Sequence, residues 1–224
     1  MALAIIGGSG LVQSTLFANW NRKGGMMLQH PEKRFIFLQR HGTPLRPPHR
    51  INHAENIGAL KQAGATGIIA IHSVGSLREE WKPGTLVIPD DFFSPWIIPS
   101  TQWTGLQFPT PSINETMKEK IKHAATQAGH KPVMGGVYIQ TIGPRFETKA
   151  EIRAMKQWGD LVGMTMASEA TIANELNLPY ASLCVVENWA NGIQGKTISM
   201  QEVGLAQAKN KRIVETILMG IVDG

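Results

Sequence analysis

Several apolar runs in this 224-residue sequence stop abruptly at side chains able to hold an anion or move a proton. "AIIGGSGL" (4 to 11) leads straight from a strand into glycines. Such a loop exposes backbone N–H groups that cradle an anion, and Ser9 adds a hydroxyl donor. The dinucleotide pattern G-x-G-x-x-G fails because position 13 is Gln, and no Gly-Lys-Ser/Thr completes a Walker loop. A small phosphate fits this loop better than a nucleotide cofactor; a plain tight turn is the alternative. In "LQRHGTP" (38 to 44), Arg40 and His41 follow a strand, at the sheet edge where open α/β folds bind ligands. Arg presents a planar fork to phosphate oxygens, and His exchanges a proton near neutral pH. The competing reading is a pair that only ties its loop.

Four more strand ends are chemically suggestive. "IHSVGSLREEWKPGTLVIPDD" (71 to 91) places Ser73 at a turn, holding an anion or its own backbone. "QTIGPRFETKAEIR" (140 to 153) leaves Glu147 in a loop just before a helix, where it acts on a ligand or simply favours the helix N-terminus. In "LVGMTMASEATIANEL" (161 to 176), Met164 and Thr165 separate a strand from a helix; core filling is the ordinary use of Met164. Glu169 suits that helix's first turn and is given no catalytic role. "CVVENWANG" (184 to 192) ends a buried strand in the amide of Asn188.

The elements that must position these residues are marked by pattern. Candidate strands lie at 3 to 6, 35 to 39, 67 to 72, 85 to 89, 136 to 142, 161 to 164 and 180 to 186. Continuous apolar runs of this length read as strands covered on both faces. Asn52 with Glu55, Thr148 with Glu151 and Ser199 with Glu202 each have the spacing of a reciprocal helix cap. Gly64 and Gly129 stop helices predicted over 53 to 63 and 113 to 128, and a last helix is expected over 200 to 221. Their alternation predicts a single α/β domain over 1 to 224, with a mixed, mostly parallel sheet flanked by helices. Residues 40 to 50 and 90 to 111, rich in Pro and Trp, read as long functional loops.

Hydrophobic residues at 42% and charged residues at 17% are those of a soluble globular chain, not a disordered one. No apolar run reaches the roughly 18 to 20 residues of a membrane span. The opening "MALAIIGGSG" lacks a basic region before its apolar residues, so a cytoplasmic location is expected. The lone Cys184 sits in an apolar strand and reads as a buried thiol. The net charge of +5 is scattered along helical patterns, arguing for solvated faces and against a nucleic-acid partner. No metal-ligand spacing is present.

The order of these stretches carries more than any one of them. GGSGL, RHG, "NHAENIGALK", S-x-G-S-L-R-E-E-x-x-P-G, G-P-R-F-E-T-x-A-E, G-M-T and the late strand ending in Asn together resemble the trimeric purine nucleoside phosphorylase and methylthioadenosine phosphorylase family over nearly the whole chain. The resemblance implies phosphorolysis: phosphate attacks the ribosyl C1′ as the purine leaves, with no metal or organic cofactor and phosphate as co-substrate. By motif position, Ser9, Arg40, His41, Ser73 and Thr165 would hold phosphate, Ser73 replacing a frequent threonine. Met164 would lie under the ribose, and Phe146 would line the base pocket beside Val74 and Gly75. Asn188, Glu147 and His41 would carry the catalytic roles.

Members that use adenine nucleosides carry aspartates at the places of Asn188 and Ala190. Here the first is an amide and the second is apolar. An amide donates to a purine O6, and Glu147 can accept the N1–H that only a 6-oxopurine has. The resemblance therefore implies a 6-oxopurine substrate. The histidine that such enzymes often use for the 5′-hydroxyl is absent between 189 and 224. Ile198, Met200 and Val203 stand near that place, an apolar set suited to a methylthio group. Together these features look most like the phosphorylases of S-methyl-5′-thioinosine, which give hypoxanthine and 5-methylthioribose 1-phosphate. Inosine or guanosine phosphorolysis is the alternative, followed by methylthioadenosine cleavage and non-catalytic purine binding. The chain departs from the pattern in a shorter stretch from Gly10 to Arg40, a shorter 90 to 111 loop, and His53 in place of a frequent tyrosine. A homotrimer is expected from the resemblance. A histidine phosphatase would need a different set of late-strand residues. A calcium-type nucleoside hydrolase would need an N-terminal aspartate cluster, and the first Asp is at position 90.

Overall fold

The computed structural model describes residues 2–96, 98–102, 104–195 and 197–224. Its strands are β1 (Ala2–Gly7), β2 (Asn21–Gly24), β3 (Met27–Gln29), β4 (Phe35–Gln39), β5 (Ala65–Ser76), β6 (Leu86–Ile88), β7 (Asp91–Phe93), β8 (Val133–Met134), β9 (Val137–Gln140), β10 (Leu161–Gly163) and β11 (Tyr180–Trp189). The helices are α1 (His53–Gln62), α2 (Glu115–Gln127), α3 (Lys149–Met155), α4 (Met166–Glu175) and α5 (Met200–Asp223).

All the strands join one mixed sheet, ordered β2-β3-β4-β1-β5-β10-β9-β7, with β11 branching from β5 to β6 and β8. The twelve-residue β5 is the hub: it pairs in parallel with β1 and β11 and antiparallel with β10. Alternation along β5 and β11 makes the two faces. Ile68, Ala70, Tyr180, Cys184 and Val186 pack with residues of α1 and α4, whereas Ile69, Ile71, Ala181, Leu183 and Val185 pack with α2 and α5. A third cluster joins α3, through Ile152 and Met155, to Leu77, Ile139, Val162 and Ala190. Cys184 is fully buried, which pushes its thiol up to about 12.

The seven strands expected from sequence all form, with ends shifted by a few residues. Asn52, Asn114, Thr148 and Ser199 each cap a helix by accepting from the N–H three residues on. The reciprocal box expected at three sites forms at Thr148–Glu151, where Arg145 also holds Glu151. Gly64 and Gly129 follow α1 and α2 with φ of +86° and +80°, the left-handed conformation that ends a helix without a Cβ penalty. The β2–β3 hairpin has no counterpart among the expected strands, because every residue of β2 is exposed and none shows apolar alternation. The predicted 90 to 111 loop contributes β7 at its start. Among the described residues no helix is long and apolar enough to cross a membrane.

Candidate active site

The carboxyl ends of β1, β4, β5, β10 and β11 and the loop after β9 open into one cavity of about 310 Å³, closed on one side by α5. Ser9, Arg40, His41, Ser73 and Thr165 form one end of its lining. Val74, Gly75, Phe146, Glu147, Met164 and Asn188 line the same cavity, and Ile198, Met200 and Val203 add apolar side chains from α5 and the residues just before it. Of the site residues expected from sequence, Ala190 alone contributes no lining. It is fully buried, and its Cβ lies 3.5 Å from where a Cβ on Gly75 would stand, so it packs behind the site.

Arg40 is 2% exposed and held on several sides. Its Nε donates to Glu169 Oε1 at 2.5 Å and its Nη2 to Glu169 Oε2 at 3.1 Å, while Nη1 donates to the Ile71 carbonyl at 2.9 Å. The bidentate fork expected to face an anion thus faces Glu169, and Nη1 is the part turned toward the β1 loop. A Cβ added to Gly8 would collide with Nη1, so glycine there lets the guanidinium and the loop backbone approach. Glu169, which sequence explains as an ordinary first-turn residue, is instead the buried counter-ion of Arg40. Burial opposes its charge, but the Arg40 guanidinium outweighs that and holds the carboxyl below the usual carboxylate range. Arg40 is raised in turn: burial disfavours its cation, and Glu169 restores it.

His72 lies on the opposite face of β5 from its neighbour Ser73, and nothing in the sequence distinguishes it from any strand histidine. Burial, aided by Arg40, lowers it to about 4, so the ring is neutral. Its Nε2 sits 3.1 Å from Arg40 Nη2, which can only donate, so Nε2 must be the acceptor and Nδ1 must carry the hydrogen. Nδ1 then donates to Thr165 Oγ1 at 3.0 Å, leaving the Thr165 hydroxyl hydrogen free for the cavity. Tyr180 completes this network, donating to Glu169 Oε2 at 3.1 Å.

His41 is half-buried, and burial lowers its pKa. Its Nδ1 donates to the Arg46 carbonyl at 2.8 Å, leaving the Nε2 lone pair of the neutral ring available. Glu147 is 5% exposed and accepts from Thr141 Oγ1 on Oε1; Oε2 has no protein partner among the described residues. Asn191 Nδ2 donates to the Glu147 carbonyl at 2.6 Å and fixes that loop. The buried side-chain polar atoms without a hydrogen bond, among the described residues, are His53 Nδ1 and Asn188 Oδ1. An orphaned amide oxygen on the lining of a cavity is the signature of a missing polar partner. Three polar lining residues are not candidates on sequence grounds: His72, Glu187, which is paired at 2.8 Å with Asn210 of α5, and Gln207, also of α5.

The chain matches the model of the Phosphorylase superfamily over residues 14–223. It is 44% identical over 177 residues to a probable 6-oxopurine nucleoside phosphorylase of Archaeoglobus fulgidus, covering 78% of this chain and 73% of that protein. It is 34% identical over 244 residues to a probable S-methyl-5′-thioinosine phosphorylase of Methanocaldococcus jannaschii, covering 96% and 91%. Among solved structures it resembles the methylthioadenosine phosphorylase of Schistosoma mansoni in complex with tubercidin. That likeness has a TM-score of 0.85 at 26% identity, over 100% of this chain and 91% of the other. With the family model spanning nearly all of the sequence, the chain belongs to the phosphorylase superfamily.

Proposed function

We propose that this protein cleaves the N-glycosidic bond of a 6-oxopurine nucleoside with inorganic phosphate. Its preferred substrate is S-methyl-5′-thioinosine, which yields hypoxanthine and 5-methylthioribose 1-phosphate. The observation that carries the base assignment is the unpartnered Asn188 Oδ1 on the same cavity as the free Oε2 of Glu147. A 6-oxopurine answers both groups: Oδ1 accepts from a protonated N7, Nδ2 donates to O6, and Glu147 accepts the N1–H. Adenine has no N1–H and presents an amino group where O6 would be.

In the reaction, phosphate occupies the cradle of Ser9, Arg40, His41, Ser73 and Thr165, where the His41 Nε2 lone pair accepts a phosphate O–H. A phosphate oxygen forms the new bond to C1′, the pair of electrons of the C1′–N9 bond departs with the purine, and a proton taken up from solvent at N7 makes the leaving base neutral hypoxanthine. Positive charge develops on the ribosyl group beside the bound phosphate, and negative charge develops on the base facing Asn188. Catalysis rests on this positioning and on charge stabilisation by groups already in place. Met164 lies beneath the sugar. The apolar wall of Ile198, Met200 and Val203 takes the methylthio end.

A second reading, phosphorolysis of inosine or guanosine, is favoured by one feature: Glu187 puts a carboxyl group on that otherwise apolar wall. Incubation of the protein with methylthioinosine, inosine and methylthioadenosine, each with and without phosphate, separates the readings by chromatography of the free base. Phosphate-dependent hypoxanthine release, fastest from methylthioinosine, is expected. Faster inosine cleavage would keep the base assignment and discard the methylthio pocket. Release from methylthioadenosine alone would overturn the roles of Asn188 and Glu147.

A cytoplasmic homotrimer acting in purine salvage is part of the same proposal. Strand β7 ends the sheet, and Phe93 and Trp158 stack edge-on beside it while both remain exposed, a surface suited to a neighbouring copy. Sedimentation equilibrium giving a monomer at working concentration would refute the trimer.

A further inference from the structure

Gln207 reaches from α5 across the mouth of the anion cradle, its Nε2 lying 3.0 Å from Ser9 Oγ and 3.3 Å from Ser73 Oγ. An amide nitrogen donates and never accepts, so it occupies a lone pair on each hydroxyl. A hydroxyl engaged in this way must send its own hydrogen elsewhere. Among the described residues neither serine hydroxyl has a protein acceptor for it. Both oxygens line the cavity that also takes the Thr165 hydroxyl, which His72 commits in the same sense from behind.

We infer that Gln207 is a positioning residue that presets the Ser9 and Ser73 hydroxyls as donors, so that the cradle meets its anion with hydrogens and not with lone pairs. The inference rests on the reading of this cradle as the phosphate site. Donors already turned toward an anion need no reorientation when it binds, which is where preorganised sites gain over water. The place of Gln207 on the helix suits this function. Val203 precedes it by one turn and lines the same cavity, so the α5 face that closes the apolar wall also carries the amide to the two serines.

The test is calorimetry with inorganic phosphate on the intact protein, run beside steady-state kinetics in both substrates. Gln207→Met keeps the length of the side chain and removes both donors. Phosphate should bind it about tenfold more weakly, two modest hydrogen bonds' worth of orientation, and the phosphate KM should rise in step. The nucleoside KM and the urea midpoint should stay close to those of wild type. Gln207→Lys, which only donates, should recover most of the loss, while Gln207→Glu, which only accepts, should be worse than Met.

Wild-type phosphate affinity in the Met variant would overturn the inference. So would equal losses for phosphate and nucleoside, which would make Gln207 a mere strut. Recovery by Glu and not by Lys would mean that the amide oxygen faces the serines, and the inference would fall on that ground too. Wild-type protein that binds phosphate but releases no base would end the phosphorolysis reading while leaving the Gln207 comparison decisive. Wild-type protein that binds no phosphate would end both.

Discussion

Glu187 offers a sharp quantitative expectation, because its environment is simple. It is 5% exposed, and its hydrogen-bond donor among the described residues is Asn210 Nδ2 at 2.8 Å. Burial pushes its carboxyl up from 4.5 to about 7, with the Asn210 bond pulling weakly the other way. A carboxyl whose folded pKa is raised stabilises the fold while protonated, and that contribution is lost as pH rises from the unfolded value through the folded one. Here the window runs from about 4.5 to about 7. Integrating the proton-binding difference gives a loss of about 2.5 kcal/mol between pH 5 and pH 8. Glu187→Gln keeps the shape and an acceptor for Asn210 but cannot titrate. Wild type minus variant should therefore fall by about 2.5 kcal/mol across that range, or about 5–10 °C in Tm for a chain of this size. Urea unfolding at matched protein concentration, at closely spaced pH values, reads this difference directly. Other titrating groups shift both proteins alike and cancel. Parallel pH curves for the two proteins would refute the argument that burial, uncompensated by a cation, governs this carboxyl.

Asn188→Asp replaces the amide with a carboxylate suited to a 6-amino group. The ratio of kcat/KM for a hypoxanthine nucleoside over its adenine counterpart should fall at least about a hundredfold, and an unchanged ratio would deny Asn188 the reading of the base. Glu169→Gln leaves the Arg40 cation buried without its counter-charge. It should cost about 3–5 kcal/mol in denaturant unfolding, far more than a surface pair would. Gly8→Ala puts a methyl where Arg40 Nη1 now lies. Phosphate binding by calorimetry should weaken severalfold while the circular dichroism spectrum stays that of wild type.

Much of this architecture is legible because burial writes itself into sequence. Strands β1, β4, β5, β9, β10 and β11 are apolar runs, and glycine or an Asx, Ser or Thr cap marks most helix ends. The β2–β3 hairpin escapes because its first strand is polar and exposed, and the side-chain bond across its ladder, Lys23 Nζ to Gln29 Oε1 at 2.7 Å, leaves no apolar pattern to read. In the site, residues at strand ends stand out by contrast with the apolar run before them. Glu169 and His72 do not, since their meaning comes from partners 129 and 93 positions away in sequence, and a lone glutamate in a first helical turn has an ordinary local explanation. Gln207 looks like any solvated helix residue until α5 is laid across β1 and β5. Ala190 is singled out by position in a motif, but the fold directs it inward.

The Gln207–Ser9 contact joins positions 198 residues apart. During synthesis, the first strand and its glycine loop emerge long before α5 is made, so a nascent chain carries half a cradle for most of its translation. The full affinity for the anion thus arrives late, when the last helix sets the two serine hydroxyls. Until then the chain lacks both the amide that orients the cradle and the Val214, Ile217, Leu218 and Ile221 side chains that cover one face of β5 and β11, so the sheet and the site are completed by the same last helix.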